Sequence, residues 1–262
     1  MKRGKVIGAI VLIGAIGLIL AQRLGGPAGD ITDSDGGAPP AAGFANIDQP
    51  GAVGASIDLS ADVPLPAAGE QRVYVIDAAQ SEAYWRIYRA GAMARFGHNH
   101  VISIEQFAGS VVLSNDLAAA EWNLSFSVAD LVIDDPDLRA LYGEDFESVP
   151  SEEDKAGTKT NMLTDRVLNG EAFSEISLSG RGVTGSLQRA ELPVSIQMLG
   201  LTIDQSFPAA ITITADTLTV EGEYRLTHAD LGMEPFSLFG GAIAVGENVD
   251  FTYRIHAVAG GR

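Results

Sequence analysis

Apolar residues recur at every second position through most of the chain beyond residue 70. The alternation runs over 73–76, 81–89 and 109–113, and through Trp122, Leu124, Phe126 and Val128. It resumes at Ile176 and Leu178, at Leu192, Val194 and Ile196, at Ile211, Ile213, Leu218 and Val220, and at Val249, Phe251, Tyr253 and Ile255. A period of 2 marks strands with one buried face, and about eight strands emerge. Two helical pieces interrupt them. One is 136–142, capped by Asp134 or Asp135 with Pro136 in its first turn; the other lies within 151–168, where Ser151 precedes Glu152, Glu153 and Asp154 as a cap with an acidic first turn. Its polar end passes through a turn at Asn169-Gly170 directly into the strand of Ile176 and Leu178. A helical excursion inside an all-β chain predicts the lid or rim of a cavity, in a barrel kept open for a ligand. The fold class expected is therefore all-β: an antiparallel barrel of roughly eight strands, closed or nearly closed because closure removes exposed strand edges.

The alternation fails before residue 71. Lys2, Arg3 and Lys5 precede an apolar run from Val6 to Ala21, and Gln22-Arg23 come next. Roughly 16 residues lie between a signal-peptide core and a full membrane span. Ile19 and Ala21 make a mediocre cleavage site, so residues 1–23 are expected to be an uncleaved signal anchor, with a removed signal peptide as the alternative. The basic flank keeps the N-terminus cytoplasmic and sends the rest of the chain across the membrane, into a periplasm. Residues 24–70, rich in Gly, Ala, Pro and Asp, have no period and read as a flexible linker. The barrel domain is expected over 71–259, long enough for one core.

Composition narrows the function. With 34 acidic against 17 basic residues and a formal charge of −17, the chain excludes nucleic-acid binding. There is no cysteine, so disulfides, thiolate chemistry and lipoprotein acylation are excluded, and attachment to the inner membrane must use the apolar run itself. No nucleophile elbow or Gly-rich phosphate cradle is present, and the acidic clusters at Asp134-Asp135, Asp137, Glu144-Asp145 and 152–154 sit beside helix starts, where dipole and solvation explain them. The protein is not expected to be an enzyme.

Several segments together resemble one family. Val73-Tyr74-Val75-Ile76-Asp77 with Ser81 beyond it is similar to the opening strand of the YceI-like, polyisoprenoid-binding exported proteins, and Phe107-Ala108-Gly109 to the strand after it. Val167-Leu168-Asn169 stand where that family's helix ends in two apolar residues and an aspartate. Residues 227–232 resemble its arginine-any-aspartate-phenylalanine-glycine turn, and the strand from Val249 its closing strand. Ser174, Leu178 and His228 depart from the family's proline, phenylalanine and arginine. The resemblance, over residues 72–258, implies an all-β, eight-stranded antiparallel, lipocalin-like barrel, closed at one end and with short helices near its mouth, that binds a long isoprenoid or fatty-acyl chain and requires no cofactor.

The period-2 faces and the predicted lid supply candidate ligand contacts. Trp85, Ile87, Phe96, Trp122, Leu124, Phe126 and Val128 are expected to wall the cavity, and Met162, Val167 and Phe173 to close it. His98, His100, Asn161 and His228 are the candidates for a headgroup. The spacing of His98 and His100 also admits a metal site, completed by His228, Met93 or Asp230, as an alternative that would make this a metal-binding or redox-associated envelope protein. His256 is expected to face solvent with Asp250, Thr252 and Arg254. A filled barrel acting as an interaction module is the third reading, and a dimer is left open.

Overall fold

The computed structural model describes residues 64–260. The apolar N-terminal run and most of the expected linker lie outside the described residues, among which no helix is long and apolar enough to cross a membrane. Strands β1 (Arg72–Ile76), β4 (Ala108–Leu113), β5 (Glu121–Ser127), β7 (Glu175–Arg181), β9 (Arg189–Met198), β10 (Leu201–Ile213), β11 (Thr217–Thr227) and β13 (Ile243–Ala259) form an antiparallel ring. It closes where Tyr74–Ile76 pair with Ala257–Ala259, giving the expected eight-stranded barrel.

Three strands continue the ring toward one end. A 3₁₀ turn over Ala78–Gln80, capped by the Asp77 carboxylate, divides β1 from β2 (Glu82–Ala90), and both halves pair with the same long β13. In the same way β3 (His100–Ile104) leads into β4, and β5 into β6 (Leu131–Ile133). The extension β2–β3–β6 carries no strand beyond β6 among the described residues, whereas β5 pairs fully with β7. Helix α2 (Glu152–Met162) lies against β6 at this opening. Its N-terminus is a capping box, in which Ser151 and Asp154 satisfy each other's backbone N–H. Short strands β8 (Thr184–Ser186) and β12 (Ser237–Leu238) pair with the flanks of β9 and β13.

The opposite end is sealed. Tyr74, fully buried, donates its hydroxyl to the Thr214 carbonyl at 2.8 Å, and Leu113, Leu117, Ala120, Val183, Leu187 and Leu218 fill the base. A second, smaller core lies on the outer face of β2 and β3. There Tyr84, Val101 and Phe146 pack with Tyr88, Leu138 and Tyr142 beneath α1 (Pro136–Ala140) and the turn after it. Asp135 caps α1, accepting from the N–H groups of Asp137 and Leu138, and the helix ends at Ala140 rather than Tyr142.

Asp134 does not serve as a solvated helix-start carboxylate. It is wholly buried, pairs with Arg139 and His100 at 2.6 Å each, and accepts the Val101 N–H. Arg139, also buried, donates to the carbonyls of Asn99, Phe146 and Ser148 and so fastens the 143–149 segment to the barrel. The pair is compensated on every side, the condition under which a buried charge is tolerable.

A lidded apolar cavity as candidate functional site

The inward faces of the ring enclose a cavity of about 440 Å³, within the range of small-molecule sites. Glycines make part of this space. A Cβ at Gly180 would stand 2.4 Å from the Trp122 indole, and one at Gly222 would stand 2.6 Å from the Tyr253 hydroxyl, so each glycine admits an aromatic side chain from a neighbouring strand. The wall is aliphatic and aromatic, with Trp85 against Phe251 and Phe207 against Tyr253.

Beside Phe207 the ring has a seam. The β10–β11 ladder runs from Ala210–Glu221 to Ile213–Leu218, while Leu201–Ala209 pair with β9 on their other side. Pro208 has no N–H to offer a ladder. Its carbonyl accepts the Tyr253 hydroxyl instead, and burial pushes that phenol well above its ordinary range.

Polar groups on the wall gather toward the open end. Thr158, Asn161 and Met162 present one face of α2 to the cavity, as spacing of three and four residues requires. His98 and His100 lie with ring centroids 6.2 Å apart; His98 Nδ1 is 3.2 Å from Ser148 Oγ and His100 Nδ1 is 2.6 Å from Asp134. Burial, then the proximity of His100, holds the His98 imidazole below its ordinary pKa. His228, 8 % exposed, sits where β11 ends, its Nδ1 2.9 Å from the Glu247 carbonyl at an irregularity in the β13–β2 ladder. Glu234 and Arg89 are the charged side chains on the wall, both exposed.

Of the residues expected to contact a ligand, Trp85, Ile87, Trp122, Leu124 and Phe126 line the cavity from β2 and β5, and Met162 and Val167 from the lid. His98, His100, Asn161 and His228 line it too. Phe96, Val128 and Phe173 do not. Phe96 belongs to a 3₁₀ turn with the Arg95 guanidinium 4.6 Å above its ring. Strand β5 ends at Ser127, so Val128 leaves the alternation and is packed into the core beside Gly170. Phe173 is 36 % exposed and lies against the hairpin turn at Gly200.

The sequence pattern misses Met233, Glu234 and Phe236 on the wall, which lie in an aperiodic connection with no signal to find them. Among the described residues, no three His, Cys, Asp or Glu side chains converge as metal ligands, so His98, His100 and His228 do not form the three-ligand set the alternative required. Asp230 is engaged by Thr227. On the outer face of β13, His256 is half-buried with Nδ1 3.2 Å from Thr219 Oγ1 rather than solvated. Asp250 is buried under Tyr88, Arg86 and Arg225.

These features define a closed antiparallel barrel with a lidded, apolar, concave interior. No family model matches the chain, and no curated protein does either. Similar solved structures include Burkholderia cenocepacia BcnA, at 11 % identity and a TM-score of 0.49, covering 70 % of this chain and 99 % of that one. Another is a polyisoprenoid binding domain from Saccharophagus degradans implicated in plant cell wall breakdown, at 10 % identity and a TM-score of 0.46, covering 71 % and 98 %. A Campylobacter jejuni YCEI protein matches at 8 % identity and a TM-score of 0.43, covering 61 % and 85 %.

Proposed function

We propose that the protein is a non-enzymatic, YceI-like carrier that sequesters one apolar isoprenoid or fatty-acyl chain inside its barrel. The observation that carries this reading is the cavity itself, enclosed by aliphatic and aromatic side chains and polar chiefly at the end that α2 covers. Each methylene moved from water to such a wall contributes about 0.8 kcal/mol, so about ten supply roughly 8 kcal/mol to set against the cost of association, without any catalytic group. The basic-flanked apolar run at residues 6–21 supports an exported protein held at the inner membrane, with residues 24–70 as the tether and the chain-shaped ligand collected or delivered there.

Phe126→Asp is the direct test. Phe126 is 7 % exposed, lies within the β5–β7 ladder and faces the cavity. A carboxylate there should abolish co-purification of an apolar chain while the far-ultraviolet circular dichroism stays that of the wild type. Undiminished lipid in a folded variant would contradict the reading.

A further inference from the structure

The polar atoms that face the cavity include donors, such as Trp122 Nε1 and the Asn161 amide, and one imidazole whose free nitrogen is fixed as an acceptor, and that acceptor bears on the ligand's head. His228 is more than nine-tenths buried, and the group facing its Nδ1 is the Glu247 carbonyl at 2.9 Å, which can only accept. Nδ1 therefore carries the hydrogen. In the neutral ring Nε2 is then a lone-pair acceptor, and it has no hydrogen-bond partner among the described residues while its ring stands on the cavity wall. The ring cannot turn to offer a donor without breaking the Nδ1 bond. Its position is fixed further by the His228 N–H, which donates to the same Glu247 carbonyl at 2.9 Å.

Further acceptors stand on the same wall. His100 Nδ1 faces the acceptor-only carboxylate of Asp134, so in a neutral His100 Nε2 is again the acceptor left over. Glu234 adds a carboxylate to the wall. The cationic side chain there, Arg89, is exposed and donates Nη1 to the Gly97 carbonyl at 3.1 Å. Above them α2 opens with Glu152, Glu153 and Asp154. An anionic head would meet acceptors and carboxylates. A head with only lone pairs, such as an ether or a carbonyl, would leave His228 Nε2 buried and unpaired, which is costly in a low-dielectric site.

We infer that the cavity takes a chain whose head donates hydrogen bonds, an alcohol or an amine, with His228 Nε2 as the acceptor that selects it. This rests on the chain-binding reading and specifies its ligand class. Removing a donor to a buried acceptor costs on the order of tenfold or more in affinity.

The test is a series with one C15 isoprenoid chain and four heads: farnesol, farnesylamine, farnesyl methyl ether and farnesoic acid. Each is titrated at pH 8 against the full chain in amphipol, with Trp85 and Trp122, the chain's two tryptophans and both on the wall, as the fluorescent reporters. Farnesol and farnesylamine should bind about tenfold or more tighter than the ether, and the acid should bind weakest. His228→Phe should bring alcohol and ether to equal affinity, and His228→Gln, which keeps an acceptor, should restore part of the difference. Equal binding of alcohol and ether by the wild type, or tightest binding of the acid, would overturn the inference while leaving a chain carrier in place. Binding of none of the four would overturn the carrier reading and the inference with it.

Discussion

Single side chains of this barrel hold two opposite kinds of buried polarity. Asp250 on the outer face of β13 would be raised by burial alone, but Arg225, Tyr88 and Arg86 hold its carboxyl below the usual 3.8. Burial, and the bond to that carboxylate, push the Tyr88 phenol up to about 12. A carboxyl depressed in the folded state contributes stability that is complete above its unfolded value and is lost as pH falls through the folded one, so this cluster fails only below about pH 4. His98 acts in a higher window. Its folded pKa lies below 6.5, so the unfolded chain takes up a proton first and stability falls as pH drops through 6.5. The thermal midpoint should therefore decline between about pH 7.5 and 5, and His98→Gln should flatten part of that decline; an equally steep decline in the variant would contradict the assignment. Residue chemistry is the least legible feature of the sequence. The His98-Asn99-His100 run has the spacing of a ligand pair, yet Asn99 is spent on the Arg89 N–H and the Asp145 carbonyl, and His100 on Asp134. Those partners lie ten to nearly fifty positions away, and spacing along the chain carries no trace of them.

Elements are more legible because their signals are local. Alternation locates the ring strands from β1 to β13, and Ser151 with its acidic first turn locates α2, whose capping box the structure contains. Strand β3 escapes because its buried run Val101-Ile102-Ser103 faces a core on both sides, the barrel on one and the Tyr84–Phe146 cluster on the other, and so shows no alternation. The seam between β10 and β11 is equally hidden, since it arises from Pro208, Gly222 and Tyr253 on three strands. It yields a comparison. Tyr253→Phe leaves the Pro208 carbonyl without that hydroxyl and should cost about 1–3 kcal/mol in urea unfolding. Gly222→Ala should cost more, because its Cβ would stand 2.4 Å from the Pro208 carbonyl oxygen, a clash that backbone must relieve. Equal stabilities for wild type and Gly222→Ala would refute this account of the seam.

At the scale of the molecule, the barrel is closed and filled at one end and lidded over an apolar space at the other. Alternation cannot tell a filled eight-stranded barrel from a hollow one, because the same inward-facing residues serve both. Tyr74 and the leucines around it pack the base, while Trp122 and Tyr253 lean across glycines and leave room above. The hollow is what separates a carrier from an interaction module. The most direct measurement is native mass spectrometry of the full chain expressed with its N-terminal segment into a bacterial envelope, then organic extraction and identification of the molecules released. The account predicts one apolar chain per barrel and no stoichiometric metal. A bare mass, or a metal without lipid, would contradict it.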